Sequence, residues 1–356
     1  MIQPVITGTG SCIPEKVITN ESFHSTPFFS KNGEKLYQSG KAIVDKFSSI
    51  TGIKERRYAR TDQNASDLGS IAAAEAIQCA GIDKDSLDYI IVAHNFGDVS
   101  FETNRTSQVP TLASRIKSHL NISNPDCVAY DLPFGCPGWI EGLIQAGYFI
   151  RSGDAKKCLV VGAETLSRVL DPYDRDSMIF SDGAGAAVLE ANDSADRGMI
   201  AHKTQTHAVD FIPVLNMDVS CSPYANDRQD LFLKMEGRKV YEFAVTHVPL
   251  LVKNLLDRSG IDIARISKVL IHQANEKMDK AILGRLFQMF GQTPVRHNIM
   301  PMTIEFLGNS SVATVPTLLD LLLKGKLSGH SVTTGEFILL VSVGAGMNIN
   351  AILYRI

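Results

Sequence analysis

In Asp131-Leu132-Pro133-Phe134-Gly135-Cys136-Pro137-Gly138 a glycine precedes a cysteine and a proline follows it, and helical periodicity then runs through Ile140, Leu143, Ile144, Gly147 and Ile150. Proline favours the first position of a helix, so the pattern sets Cys136 at the N-cap or in the first turn. There the helix dipole and free N–H groups stabilise a thiolate and lower its pKa, as a nucleophile toward a thioester or acyl group requires. A structural cysteine buried at a helix start fits the same spacing. Cys12, Cys79, Cys127, Cys158 and Cys221 lack this setting and read as small hydrophobes.

Three further positions could serve such a nucleophile. His272 follows the apolar run Val269-Leu270-Ile271 and precedes a helical pattern, which places it at the carboxyl end of a strand, where open α/β sheets put ligand chemistry. Asn309, in Leu307-Gly308-Asn309-Ser310-Ser311, precedes another helical pattern and fits an N-cap or turn equally well. The small residues of Gly344-Ala345-Gly346 allow backbone N–H groups to approach a ligand oxygen, and they also suit a tight turn.

The elements that must position these groups are written twice. Gly81-Ile82-Asp83 leads through Leu87-Asp88 into Tyr89-Ile90-Ile91-Val92-Ala93 and His94-Asn95, while Gly260-Ile261-Asp262 leads through Ile266-Ser267 into Val269-Leu270-Ile271 and His272-Gln273-Ala274-Asn275. A second pair joins Ser152-Gly153, Cys158 to Gly162 and Gly183-Ala184-Gly185 to Ser328-Gly329, Phe337 to Val341 and Gly344-Ala345-Gly346. Unbroken β-branched runs between helix-length patterns indicate strands buried on both faces. Helices are predicted over Leu68 to Ala80, Pro137 to Arg151, Gly237 to Arg258, Glu276 to Phe290 and Ser311 to Leu323. Two similar α/β halves packed as a pseudo-dimer predict a five-layer αβαβα sandwich. The polar stretch Ala191 to Gly198 divides the chain into residues 1–192, carrying Cys136, and residues 193–356, carrying His272 and Asn309.

Composition excludes several function classes. The 356 residues carry 35 Lys and Arg against 38 Asp and Glu, a net charge of -3 with no long block of one sign, so nucleic acid is not an expected partner. No stretch approaches the ~18 apolar residues of a membrane span, and Met1 to Gly10 show no cationic region followed by a long apolar core. The expectation is a cytoplasmic protein without a membrane partner, its six cysteines reduced because none forms Cys-x-x-Cys. Gly8-Thr9-Gly10 lacks the third glycine of a dinucleotide fingerprint, and neither a His-Glu-x-x-His motif nor a P-loop occurs. No metal site is expected.

With these positions placed, the sequence resembles the thiolase superfamily, and within it the β-ketoacyl-acyl-carrier-protein synthase III branch. The likeness runs from Gly8-Thr9-Gly10-Ser11 through Thr51-Gly52-Ile53, Gly135-Cys136-Pro137-Gly138, Asp182-Gly183-Ala184-Gly185-Ala186, Met235-Glu236-Gly237-Arg238 and His272-Gln273-Ala274-Asn275 to Gly308-Asn309-Ser310-Ser311 and the terminal glycine loop. It implies a thiolase-like α/β fold and a Cys136-His272-Asn309 triad acting without a cofactor, with coenzyme A entering only as substrate. Cys136 takes an acyl group from an acyl-CoA. Malonyl-acyl carrier protein then loses carbon dioxide while His272 and Asn309 donate to its thioester oxygen, and the carbanion attacks the acyl-Cys136. The backbone N–H groups of Cys136 and Ala345 form the oxyanion hole. Arg175, Gly237, Lys277, Gly344 and Gly346 take substrate-contact positions, Arg285 a carrier-protein-binding position, and His94 to Pro110 part of the acyl pocket at a homodimer interface.

The resemblance also separates subfamilies. A reversible thiolase uses a second cysteine in its C-terminal loop, whereas the last cysteine here is Cys221. Elongating synthases use two histidines, the second replaced here by Asn309. Initiation of fatty acid synthesis is the leading expectation. The alternatives are a related enzyme of secondary metabolism, making a dialkylresorcinol, polyene or quinolone precursor, a head-to-head acyl condensation, and a non-catalytic partner subunit, which the intact triad disfavours. Lys46 and Ile50 stand before Thr51, where the family often carries the Trp and Arg that sandwich the coenzyme A adenine, and Pro137 follows Cys136 where Ala or Ser is usual.

Overall fold

The computed structural model describes residues 2–193, 196–225 and 230–356; residues 194 and 195, inside the stretch read as a boundary, lie outside the described residues. The chain runs β1 (Gln3–Cys12), α1 (Gly40–Thr51), α2 (Ala65–Ala80), β2 (Tyr89–His94), α3 (Leu112–His119), β3 (Val128–Pro133), α4 (Gly138–Ser152), β4 (Lys157–Thr165) and β5 (Asp182–Asn192). It continues through β6 (Gly198–Thr206), α5 (Gly237–Ser259), β7 (Ile266–Ile271), α6 (Glu276–Gln288), α7 (Thr314–Leu323), β8 (Phe337–Gly344) and β9 (Asn348–Arg355).

These strands form two mixed sheets, ordered β1-β5-β4-β2-β3 and β6-β9-β8-β7. In the first, β2 runs parallel to β3 and β4, and β5 is antiparallel to β1 and β4. In the second, β7 runs parallel to β8, and β9 is antiparallel to β8 and β6. The repeat read in the sequence is therefore structural, because β2 and β7 hold one place in their sheets and β4 and β8 another. The flank of β7 corresponding to β3 is taken by irregular chain, where Val269 N–H donates to Ile299 O at 2.8 Å.

Apolar patterning explains the layers. A helix apolar on every side belongs in an interior, and α7 is buried without a break from Thr314 to Leu322. Its one charge, Asp320, is met by Lys324 at 2.6 Å and by the Ser11 hydroxyl at 2.7 Å. With α4 it forms a middle layer whose Trp139, Leu143 and Leu318 pack against Val160 of one sheet and Leu340 of the other. The strands alternate as period two requires: Ile91 and Ala93 face this middle layer, while Ile90 and Val92 face α2 and α3. Beyond the second sheet, α5 and α6 bury Leu251, Leu255, Ile282 and Leu286 over Leu339 and Leu353. Five layers follow.

Helix limits depart from the periodicity where local chemistry intervenes. α2 begins three residues early because Asn64 and Asp67 form a capping box, with Asn64 N–H donating to Asp67 at 2.7 Å. The helix predicted from Ser311 is a short 3-10 turn, Ser311–Ala313, before α7, since Ser311 holds φ +53°, outside the right-handed helical region.

Candidate active site

Cys136 lies in the short connection from β3 to α4 and precedes the helix rather than opening it. Pro137 is the cap residue and α4 starts at Gly138. Gly135 has φ +70°, and a side chain there would also come within 3.2 Å of Ala345 N and O, so the backbone before the cysteine needs glycine. From the other side, a Cβ on Gly344 would meet Cys136 N at 2.7 Å and Cys136 Cβ at 2.8 Å. The Gly344-Ala345-Gly346 loop thus rests directly on the cysteine. Asn348 Nδ2 donates to Ala345 O at 2.8 Å and Asn350 Nδ2 to Pro137 O at 3.0 Å, fixing both segments to β9.

The expected lowering of the Cys136 pKa is not found. Burial pushes the thiol up to about 11, with the charge of Glu164 adding to the shift. The Ser311 hydroxyl and the backbone N–H groups of Cys136 and Ala345 oppose it. Desolvation of the resting thiol outweighs these donors, and the spacing of a helix start does not reveal what packs over it. The two amides acting on the sulfur are the pair expected to form the oxyanion hole.

His272 continues β7, its N–H donating to Val341 O of β8 at 2.8 Å. It is 3% exposed, its Nδ1 is buried with no hydrogen-bond partner among the described residues, and burial holds its pKa down to about 4, with only the Ser311 backbone opposing. The ring is therefore neutral near pH 7. Asn309 is buried and held by its backbone, its N–H donating to Ile179 O at 3.0 Å and its carbonyl accepting from Ser181 N at 2.8 Å. Its Oδ1 accepts the Ser311 N–H at 2.8 Å, a local turn bond of the kind Asn favours. That bond occupies the side-chain oxygen and leaves Nδ2 as the end that can donate.

One residue ties the three together. Ser311 donates its hydroxyl to Cys136 Sγ at 3.1 Å and its N–H to Asn309, and its backbone bears on His272. Ser311 entered the sequence reading only as part of a motif and as the start of a predicted helix; Asn95 and Glu164, which stand behind it, carried no chemical signal beyond the placing of Asn95 opposite Gln273 in the repeat.

A cavity of about 930 Å³ lies beside these residues. Its wall reaches Ala274, two residues beyond His272, and Ile179, whose carbonyl holds the Asn309 N–H. Arg175 and Gly237 line it, together with Lys31, Lys46, Arg238 and Lys239 against Asp174, Asp176 and Glu236. The loop presenting Arg175 is pinned by buried Lys234, which pairs with Asp171 and, at 3.2 Å, with Asp174. Lys277 and Arg285 are exposed on α6, and neither contributes to the cavity wall. Trp139 belongs to the core, donating Nε1–H to Val160 O at 3.1 Å. Among the described residues no group of three or more His, Cys, Asp or Glu could hold a metal ion, and no helix is long and apolar enough to cross a membrane.

A duplicated five-layer α/β sandwich with a cysteine, a histidine and an asparagine around one serine defines a thiolase-fold acyltransferase. The chain matches the model of 3-oxoacyl-[acyl-carrier-protein] synthase III over residues 130–208 and that of its C-terminal part over residues 256–356. It is 33% identical over 351 residues to β-ketoacyl-[acyl-carrier-protein] synthase III 1 of Vibrio vulnificus strain YJ016, covering 98% of each chain. The structure superposes on 3-oxoacyl-[acyl-carrier-protein] synthase III from Aquifex aeolicus VF5 with a TM-score of 0.80 at 27% identity, over 99% of this chain and 100% of that one. It also matches the priming β-ketosynthase of the R1128 polyketide pathway, with a TM-score of 0.80 at 25% identity over 99% and 96%. The chain belongs to the β-ketoacyl-acyl-carrier-protein synthase III family of condensing enzymes.

Proposed function

We propose that the protein condenses an acyl thioester with malonyl-acyl carrier protein to give a 3-oxoacyl-acyl carrier protein, through an acyl-Cys136 intermediate. The observation that carries this reading is the Ser311 turn, which joins Cys136, His272 and Asn309 while two backbone amides act on the sulfur. In the first half-reaction the Cys136 sulfur attacks the acyl carbonyl, and the N–H groups of Cys136 and Ala345 receive the oxyanion. The departing coenzyme A thiol carries away the proton that Cys136 loses. In the second, neutral His272 and Asn309 Nδ2 donate to the malonyl thioester oxygen as carbon dioxide leaves. The new carbon–carbon bond forms as the bond from the acyl carbon to Cys136 breaks.

Gly344 and Gly346 hold the loop against the substrate, and Arg175 and Gly237 meet the thioester arm in the cavity. Lys277 and Arg285 lie outside it, where the phosphates of the donor and the acidic carrier protein would pass. The working unit is a homodimer. β3 supports this, because it lies at the edge of its sheet with a side that no described strand covers, and the segment from His94 to Pro110 exposes Phe101 and Val109. The halves divide at residues 1–192 and 193–356, and the reaction needs no cofactor besides its thioester substrates.

A second reading, priming in a secondary pathway, is favoured by Lys46 and Ile50 in the cavity wall, which offer the adenine no aromatic face. Intact-protein mass spectrometry distinguishes the two. The enzyme is mixed with acyl-CoA thioesters from acetyl to decanoyl, then with malonyl-acyl carrier protein. An acetyl or short branched adduct that the malonyl thioester discharges identifies an initiator, whereas loading only by long or unusual groups, or none from coenzyme A, favours the second reading. Cys136→Ser should lose the adduct with its fold intact. Persistence of condensation in that variant would remove Cys136 from the mechanism.

A further inference from the structure

Behind the sulfur runs a line of hydrogen bonds that the triad does not use. Ser311 Oγ donates to Cys136 Sγ at 3.1 Å and accepts from Asn95 Nδ2 at 3.0 Å. Asn95 Nδ2 also bonds Glu164 Oε1, and Asn95 N–H donates to the same oxygen at 2.8 Å. The members come from three places in the fold. Asn95 follows β2, Glu164 lies near the end of β4, and Ser311 opens the turn before α7. Glu164 is 1% exposed and Ser311 2%. The close approach is built in, since a Cβ on Gly162 of β4 would meet Val312 O at 2.6 Å.

The direction of this line follows from donor counting. A serine hydroxyl has one hydrogen and two lone pairs, and the Asn95 N–H donating to Glu164 Oε1 fixes that carboxyl oxygen as an acceptor. Glu164 accepts from Asn95 Nδ2 and so fixes which end of the amide faces Ser311. Asn95 Nδ2 then occupies a lone pair of the hydroxyl, and the single hydrogen is left to point at sulfur.

We propose that Ser311 is a further catalytic residue, a directed hydrogen-bond donor that stabilises the Cys136 thiolate, and that Asn95 and Glu164 are positioning residues which set the direction of that bond. This rests on Cys136 being the acyl carrier. During loading the hydroxyl supports the sulfur as its proton goes to the departing thiol. After condensation it receives the released thiolate, which water reprotonates. The upward pull of burial on the thiol makes a donor at this point more consequential than it would be at an open helix start. Ionisable groups facing the line are few. Glu164 bears on the sulfur, His94 and Asp182 bear on Glu164, and His272 shares the Ser311 turn.

The test is the pH dependence of Cys136 alkylation by iodoacetamide, followed by mass spectrometry in a Cys79→Ser background that removes the exposed competing thiol. Ser311→Gly suits the positive φ, and Ser311→Ala provides a second variant. Loss of one hydrogen bond to a charged group should raise the apparent thiol pKa by about one to two units in both. Asn95→Asp, which turns a donor into an acceptor and draws the hydroxyl hydrogen away from sulfur, should raise it too, and by more than Asn95→Ala. An unmoved profile in the Ser311 variants overturns the proposal, and an unmoved profile in Asn95→Asp overturns the directing role. Acyl loading of the parent enzyme is measured on unalkylated portions of the same preparation. If the parent takes no acyl group at Cys136, the functional reading fails; if it loads and Ser311→Gly leaves the profile in place, only the present inference fails.

Discussion

At Glu164 the balance of burial and hydrogen bonding can be measured directly. Burial pushes its carboxyl up to about 7, although His94 and the two Asn95 donors favour the charged form. Above about 4.5 the unfolded chain has lost this proton while the folded chain keeps it up to about 7. The contribution is therefore fully present below about 4.5 and lost as pH rises through about 7, a change of up to about 3 kcal/mol. In Glu164→Gln that dependence is absent. Comparing urea midpoints of parent and variant from pH 5 to 8 should show the parent losing stability relative to the variant as pH rises, with His94 and Asp182 common to both. Parallel curves would mean that Glu164 titrates as an ordinary surface acid. His272 follows the opposite sign: its depressed pKa means that folding becomes less favourable as pH falls from about 6.5 toward about 4.

At the scale of elements, the glycine loop is the most exposed to a single change. A methyl group on Gly344 would need the space of Cys136 N and Cβ, 2.7 and 2.8 Å away, so Gly344→Ala must move the loop, and with it the Ala345 amide, off the sulfur. Loss of one oxyanion donor costs on the order of 10²- to 10³-fold. The rate of acyl-Cys136 formation should fall by that factor while circular dichroism is unchanged, and a loading rate within a few-fold of the parent would remove Ala345 from the oxyanion hole. The elements themselves were legible where periodicity is long: the helix predicted over Gly237 to Arg258 is α5, Gly237–Ser259, and the strand ending at Ile271 does deliver His272. What could not be read was what one element does to another. The thiol of Cys136 was expected to be acidic from its own turn, yet burial pushes its pKa up to about 11, with Ser311 opposing and Glu164 adding to the shift, both far away in sequence. Ser311 itself sits at φ +53°, a conformation that no pattern of apolar residues encodes.

For the whole molecule, duplication explains both the layers and the exposed edge. The unbroken apolar face of α7 and the core face of α4 close against each other between the sheets, which leaves the outer helices amphipathic and β3 as one of the strands that end a sheet. Val128 N–H donates to Asp88 O, toward β2, so by the alternation of a strand Ala129 turns its N–H and carbonyl to the uncovered side. A strand edge of this kind is a template for pairing, and two copies related by a twofold axis would extend both sheets into one. Ala129→Pro removes an edge donor without touching the ladder to β2, a position where proline is tolerated. Sedimentation equilibrium should give a dimer for the parent and a shift toward monomer for Ala129→Pro, with the variant still folded by circular dichroism. If the variant remains as dimeric as the parent, the two copies meet through some other face; if the parent is monomeric, the segment from His94 to Pro110 must form the acyl pocket within a single chain.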